Sequence, residues 1–375
     1  METLQISPSI LQWAANQCCL SVDALVDFLE CPSKRDKFLS GEFSIKQIEK
    51  LASKTHIPFG YFFLDTPPQN TRTKIPDLRQ LPNPAPLSAD FFDTLDDILR
   101  KQQWYLDYLK EQGAEPLDFV GKFQFDLSIS AEIIAADIRE TLGVTSQEQT
   151  NCAKYEDFFN LLSDRAENIG ILVFRNGIVK TNTRRSLSVN EFRGFAIADG
   201  YAPVIFINGK DSDAAWMFTF AHELAHIWLG ESGVSDIPDK QNVVDQKLEQ
   251  YCNQIAAEFL TPAKQFLSAW DKLPEPKIEA LAKEFKVSQW VVARRALSLR
   301  KISWDEYVTK INDRKKIPSV ESGGNFYLSV PIRNSRRVTR AIVNTAMSGN
   351  MMLREAASLL NMKNPDGVMK MGRSN

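Results

Sequence analysis

The residues most able to do chemistry are His222, Glu223 and His226, in the stretch Phe218 to Gly230 that reads FTFAHELAHIWLG. Two histidines four positions apart on a helix lie one turn apart on the same face, so both imidazoles can aim at one metal ion. The glutamate between them is placed to take a proton from a water attacking a carbonyl, the chemistry of a zinc peptidase. The chain holds 3 histidines, and two of them fall in this frame. The flanking Ala221, Leu224, Ala225 and Ile227 are uncharged, as a buried metal helix requires. The third histidine, His56, stands at a helix end before Pro58 and reads as a structural partner for the last carbonyls.

A catalytic zinc takes three protein ligands and keeps one position open. Glu249 is the first candidate for the third ligand, far enough beyond His226 for a loop and a return helix, and Glu258 is the second, two turns further along. The 5 cysteines, Cys18, Cys19, Cys31, Cys152 and Cys252, form no C-x-x-C pair and read as reduced thiols. Cys252 reads as a small buried hydrophobe.

Around these residues lie the elements that must position them. GILVFR, FRGFAIA and APVIFIN are short β-branched and aromatic runs between Gly170 and Asn208, predicting a small sheet before the metal helix. The helix SDAAWMFTFAHELAHIWLG is expected to open on Asp211 or Asp213 and to stop at Gly230. A second helix, KLEQYCNQIAAEFL, should end before Pro262. Upstream, several short helical segments between Ile6 and Phe63 predict a small helical domain, and the Pro-rich stretch after it predicts a linker. Downstream, KIEALAKEFKVSQWVVARRALSLRKIS has the look of a helix, turn, helix pair, with Arg294 and Arg295 read as packing residues.

A formal net charge of -2 leaves no whole-molecule attraction for nucleic acid, so any such surface must be local. One local cluster is Arg333, Arg336, Arg337 and Arg340, joined by Arg354, which could hold phosphates or an acidic partner. No apolar run approaches a membrane span, and the start METLQISPSI lacks the layout of a secretory signal. The expectation is a cytoplasmic protein with no membrane partner.

FTFAHELAHIWLG followed by EQYCNQIAAEFLTP resembles the ImmA/IrrE family of zinc metallopeptidases, whose later helix has the form E-x-x-A-N-x-F-A-x-x-L-L-x-P. Cys252 and Ile255 stand where the family commonly has Ala and Phe, and both keep apolar bulk. The resemblance implies one Zn2+ per chain held by His222, His226 and Glu249, with Glu223 as general base. The N-terminal part, with the GE of SGEF and with PFGYFFL, resembles the XRE-type helix-turn-helix fused to such peptidases, and KIPDLRQL in the linker is a further likeness. In that module the helix from Ser33 to Ser40 would offer Lys34, Arg35 and Lys37 to DNA.

The implied layout is multidomain and mainly α. It comprises a helix-turn-helix domain at 1–66, a linker at 67–89, an α+β zincin-like peptidase core at 90–318 and a small helical module at 319–375. The implied function is a DNA-binding regulator whose peptidase cuts a repressor-type protein. The alternative is an antitoxin that sequesters a small toxin and autorepresses its operon, with a non-catalytic zinc site. Homodimerisation through the N-terminal module is a further expectation. For an extended substrate, Phe195, Ala196 and Ile197 are the candidates for an exposed sheet edge.

Overall fold

The computed structural model describes residues 3–17, 20–55, 57, 59–68, 87–235, 243–312 and 326–374. His56 and Pro58, most of the expected linker and all of KIPDLRQL lie outside the described residues. The chain divides into two compact units, the first comprising Met1–Lys74 and Pro84–Asp96 and the second including all of Asp97–Asn375.

In the first unit β1 (Leu4–Gln5) precedes α1 (Pro8–Gln17), α2 (Val22–Asp27) and α3 (Arg35–Leu39), and β2 (Glu42–Phe43) pairs antiparallel with β1 before α4 (Ile45–Thr55). A 3-10 turn at Phe59–Phe63 follows. The Ser21 hydroxyl accepts from the Ala24 N–H and so fixes the start of α2. Ile10, Leu25, Phe38, Phe43, Ile48 and Leu51 form the core, each supplied by the apolar face of its own element.

The boundary between the units falls in α5 (Ala89–Glu111). Beyond it come α6 (Ala131–Leu142), α7 (Ser146–Asn151) and α8 (Tyr155–Asn168). The sheet region holds β3 (Leu172–Asn176), a small pair of β4 (Ile178–Val179) with β5 (Asn182–Ser186), then β6 (Gly194–Ile197) and β7 (Val204–Asn208). Helix α9 (Asp213–Leu229) leads into β8 (Gly233–Ser235) and then α10 (Val243–Leu260).

The main sheet has the order β3-β7-β6-β8, with β3 parallel to β7 and the other two pairings antiparallel. This corrects the edge assignment of Phe195, Ala196 and Ile197. β6 lies inside the sheet because β8, formed just after the metal helix, pairs Phe195 with Val234 and Ala196 with Gly233. Ile197 pairs with Val204 on the other side. β7 is buried along its whole length, as an inner strand with a helix over one face should be.

Helices α11 (Ala263–Lys272), α12 (Lys277–Phe285), α13 (Gln289–Ser298) and α14 (Trp304–Asn312) complete the core around the metal helix. The C-terminal helices are α15 (Phe326–Arg333), α16 (Arg336–Met347), α17 (Leu353–Leu359) and α18 (Asp366–Ser374). Expected as a separate module, they pack within the same unit as the sheet. Buried Glu167, at the end of α8, accepts from the Ser335 hydroxyl at 2.5 Å and from the Arg336 N–H at 2.9 Å, holding the start of α16. A carboxylate at a helix N-terminus also meets the positive end of the helix dipole.

Candidate metal centre

Helix α9 begins with Ser212 at its N-cap, so neither Asp211 nor Asp213 fills that position, and its first helical residue is Asp213. It ends at Gly230 in the left-handed conformation, φ 74°. A Cβ there would stand 3.0 Å from the Cα of Gly121, so glycine serves both the turn and the close approach of a neighbouring loop. That loop covers the helix end, since the Gly121 N–H donates to the Ile227 carbonyl at 2.9 Å.

From Phe220 to Leu229 every residue of α9 is buried, the ligand-type residues included. His222 Nε2 lies 3.1 Å from Glu249 Oε2, His226 Nε2 lies 3.1 Å from Glu249 Oε1, and the two Nε2 atoms are 3.1 Å apart. A tetrahedral site with zinc–ligand bonds of about 2.0–2.1 Å has edges of about 3.3 Å. The three groups thus form one face of such a tetrahedron, and a metal fits them. Glu249 is fully buried, and among the described residues its carboxylate oxygens face only the two imidazoles, with no hydrogen bond of good geometry to either. Such a carboxylate calls for a cation.

The electrostatics of the three groups favour an ionised carboxylate but split the two imidazoles: burial lowers His222, yet the facing Glu249 outweighs it and holds that imidazole above its ordinary value. Burial pushes the Glu249 carboxyl up, but facing His222 and His226 outweighs burial and holds it down at about 2. Burial keeps the His226 imidazole below its ordinary value. A metal requires a deprotonated carboxylate and neutral imidazoles.

Asn253 was not singled out from sequence. Its Oδ1 lies 3.2 Å from His222 Nδ1 and accepts the proton there, which leaves the Nε2 lone pair facing Glu249 and His226. The signal for it was spacing, since Asn253 stands one turn after Glu249 on α10. Cys252, beside it, is fully buried and has its thiol pushed far up by burial, so it is a packing residue.

Glu223 is fully buried against the sheet. A Cβ on Gly194 of β6 would stand 2.8 Å from Glu223 Oε1 and 2.6 Å from the Thr219 methyl, so the glycine lets α9 seat its acid on the strand. Phe195 and Ala196 are buried beside it, with Phe195 stacked on Phe206 at 4.9 Å.

The other sequence candidates lie elsewhere. Glu258 pairs with buried Arg295 and accepts from the Ala263 N–H, which places it in the packing of α11 and α13 and away from the metal residues. Arg35, on the five-residue α3, is held by Asp23 and Asp27 at 2.9 Å each. Lys34 and Lys37 flank it on an exposed face. In the C-terminal cluster Arg336 pairs with Asp164, and Arg337 donates to the Tyr105 hydroxyl and the Glu167 carbonyl, so both serve packing.

The sheet, the helix with two histidines and the return helix with a glutamate bring together a donor set of the kind that holds a catalytic metal. Residues 166–297 match the peptidase M78 family described as an IrrE N-terminal-like domain, a stretch that contains all three candidate ligands and Glu223. Residues 334–374 match a domain of unknown function, DUF8813. No curated protein matches the chain. No described helix is long and apolar enough to cross a membrane.

Proposed function

We propose that the chain is a cytoplasmic regulator with a zinc-dependent endopeptidase activity directed at a specific protein, joined to an N-terminal helix-turn-helix that binds DNA. The observation that carries the peptidase reading is the buried triangle of His222, His226 and Glu249 with 3.1 Å sides. A zinc ion held there supplies Lewis acidity, polarising a peptide carbonyl and acidifying a water. Glu223 accepts the proton of the attacking water and returns it to the leaving amine as the C–N bond breaks. Asn253 fixes the His222 ring, and Gly194 allows Glu223 its seat. The protein substrate meets the sheet at β8, because β6 has partners on both sides. The helix-turn-helix reading rests on the sequence likeness and on the exposed Lys34 and Lys37.

The test is metal content of the purified protein beside Glu249→Ala, His222→Ala and Glu223→Gln. About one zinc per chain is expected, lost in the first two variants and kept in the third. A partner protein cleaved by the native chain and not by Glu223→Gln would then establish turnover. A native protein that takes up no zinc on reconstitution would overturn the peptidase reading.

A further inference from the structure

The C-terminal helices carry a charge that the rest of the chain does not share. Residues 334–374 hold seven basic side chains and two acidic ones, in a chain whose net charge is -2. Arg336 and Arg337 are engaged by Asp164, Tyr105 and Glu167. Arg340, Arg354, Lys363, Lys370 and Arg373 are exposed. Among the described residues no ion pair engages Arg340, Arg354, Lys363 or Arg373.

The backbone gives that charge a definite frame. At the end of α17 Asn361 takes the left-handed conformation, φ 55°, and the Met362 N–H reaches back to the Ala357 carbonyl at 2.8 Å, a Schellman-type stop. Met362 is buried, as the residue after such a stop commonly is. Asn364 starts α18 at once, its Oδ1 accepting from the Asp366 N–H at 2.9 Å and its carbonyl from the Gly367 N–H at 3.1 Å. Residues 361–363 are thus the whole turn between the two helices, a length that suits a helix-turn-helix. A side chain on Gly367 would run into the Met362 methyl, so α18 lies close against the turn. α16 packs against both helices, and Ile342, Val343, Ala356, Ala357 and Val368 are all buried.

On the outside, Lys363, Asp366, Lys370 and Arg373 follow at intervals of three and four residues, one exposed stripe along α18. Asp366, the one acid among them, sits at the positive end of the α18 dipole. Lys370 lies 5.8 Å over the Tyr327 ring, which steadies it without neutralising it. Arg354 stands exposed at the start of α17. In a helix-turn-helix the second helix enters the major groove while the helix before it crosses the phosphate backbone.

We propose that α16, α17 and α18 are a DNA-binding helix-turn-helix, with α18 entering the major groove of duplex DNA and Arg354 meeting a phosphate beside it. This site is separate from Lys34, Arg35 and Lys37 and does not depend on the N-terminal or the peptidase reading.

The experiment is fluorescence anisotropy of the full chain with a labelled mixed-sequence duplex of about 30 base pairs, between about 50 and 200 mM salt. Every protein carries Lys34→Gln and Lys37→Gln, which removes the N-terminal lysines and lets the two sites fail separately. Adding Lys363→Gln, Lys370→Gln and Arg373→Gln should weaken binding about tenfold or more and make its salt dependence shallower by about 2–3 in log–log slope. Adding instead Lys264→Gln, Lys272→Gln and Lys283→Gln, exposed lysines elsewhere in the same unit, removes equal charge and should change affinity by no more than about twofold. No binding by the parent protein, or equal losses in the two triple variants, would overturn the proposal. So would polyglutamate competing as well as unlabelled duplex, which would point to an acidic protein partner.

Discussion

At the metal centre Asn253 carries the clearest single-residue consequence. Its Oδ1 sets the tautomer of His222, so Asn253→Ala should weaken zinc binding by about 10–100-fold in competition with a chelator. Asn253→Asp keeps an acceptor and should lose much less. Gly194→Ala forces a methyl between Glu223 and Thr219, and urea unfolding should show a loss of about 1–3 kcal/mol. Helical spacing, which is local information, singled out His222, Glu223 and His226, whereas Glu249 came from the room for a return helix and from the family likeness. Nothing local singled out Gly194, since the neighbours that require a glycine there come from another strand and from the metal helix.

Elements with a pattern of their own were readable, including the short strands β3, β6 and β7, and those without one were not. The metal helix, its stop at Gly230 and the return helix follow from periodicity and Gly/Pro punctuation. β8 has three residues and no pattern of its own, which is why β6 could be taken for an edge. The buried contact between α5 and the loop after α17 was equally invisible, because its partners lie far apart in the chain. There Lys101 pairs with Asp97, which also accepts from Asn361 at 2.8 Å.

Burial pushes the Lys101 pKa down to about 8, and Asp97 only partly offsets this. The folded state therefore releases this proton before the unfolded chain does, whose lysine titrates near 10.5. The penalty is fully present below pH 8 and is relieved as the pH rises from about 8 to 10.5. The relief amounts to about 3 kcal/mol. Urea unfolding at pH 7.5 and 10 should reveal about 2 kcal/mol of that gain in the native protein against Lys101→Met, which lacks it. Breaking the pair from the other side, Asp97→Ala, should cost about 3–5 kcal/mol at neutral pH by leaving the ammonium buried without its carboxylate.

For the molecule as a whole, the C-terminal helices belong to the unit that carries the metal residues. Removing residues 334–374 would take away Ser335 and the backbone donors that satisfy Glu167. It would also remove Val338, Ile342, Leu360 and Val368, all fully buried. The truncated chain should unfold at a lower temperature and with a smaller heat-capacity change than the full chain in calorimetry. An unchanged midpoint would make this module an independent appendage.

The continuity of α9 with β8 has a wider consequence. Three residues after Gly230 the chain is already paired to β6, so the metal helix and the outer strand of the sheet are parts of one short segment. Local opening of that segment would free the amides facing β8 while leaving those facing β7 bonded. Slow deuterium uptake along Gly194–Ala196 therefore becomes a gauge of order at the metal centre, readable without any substrate, and zinc should slow it further.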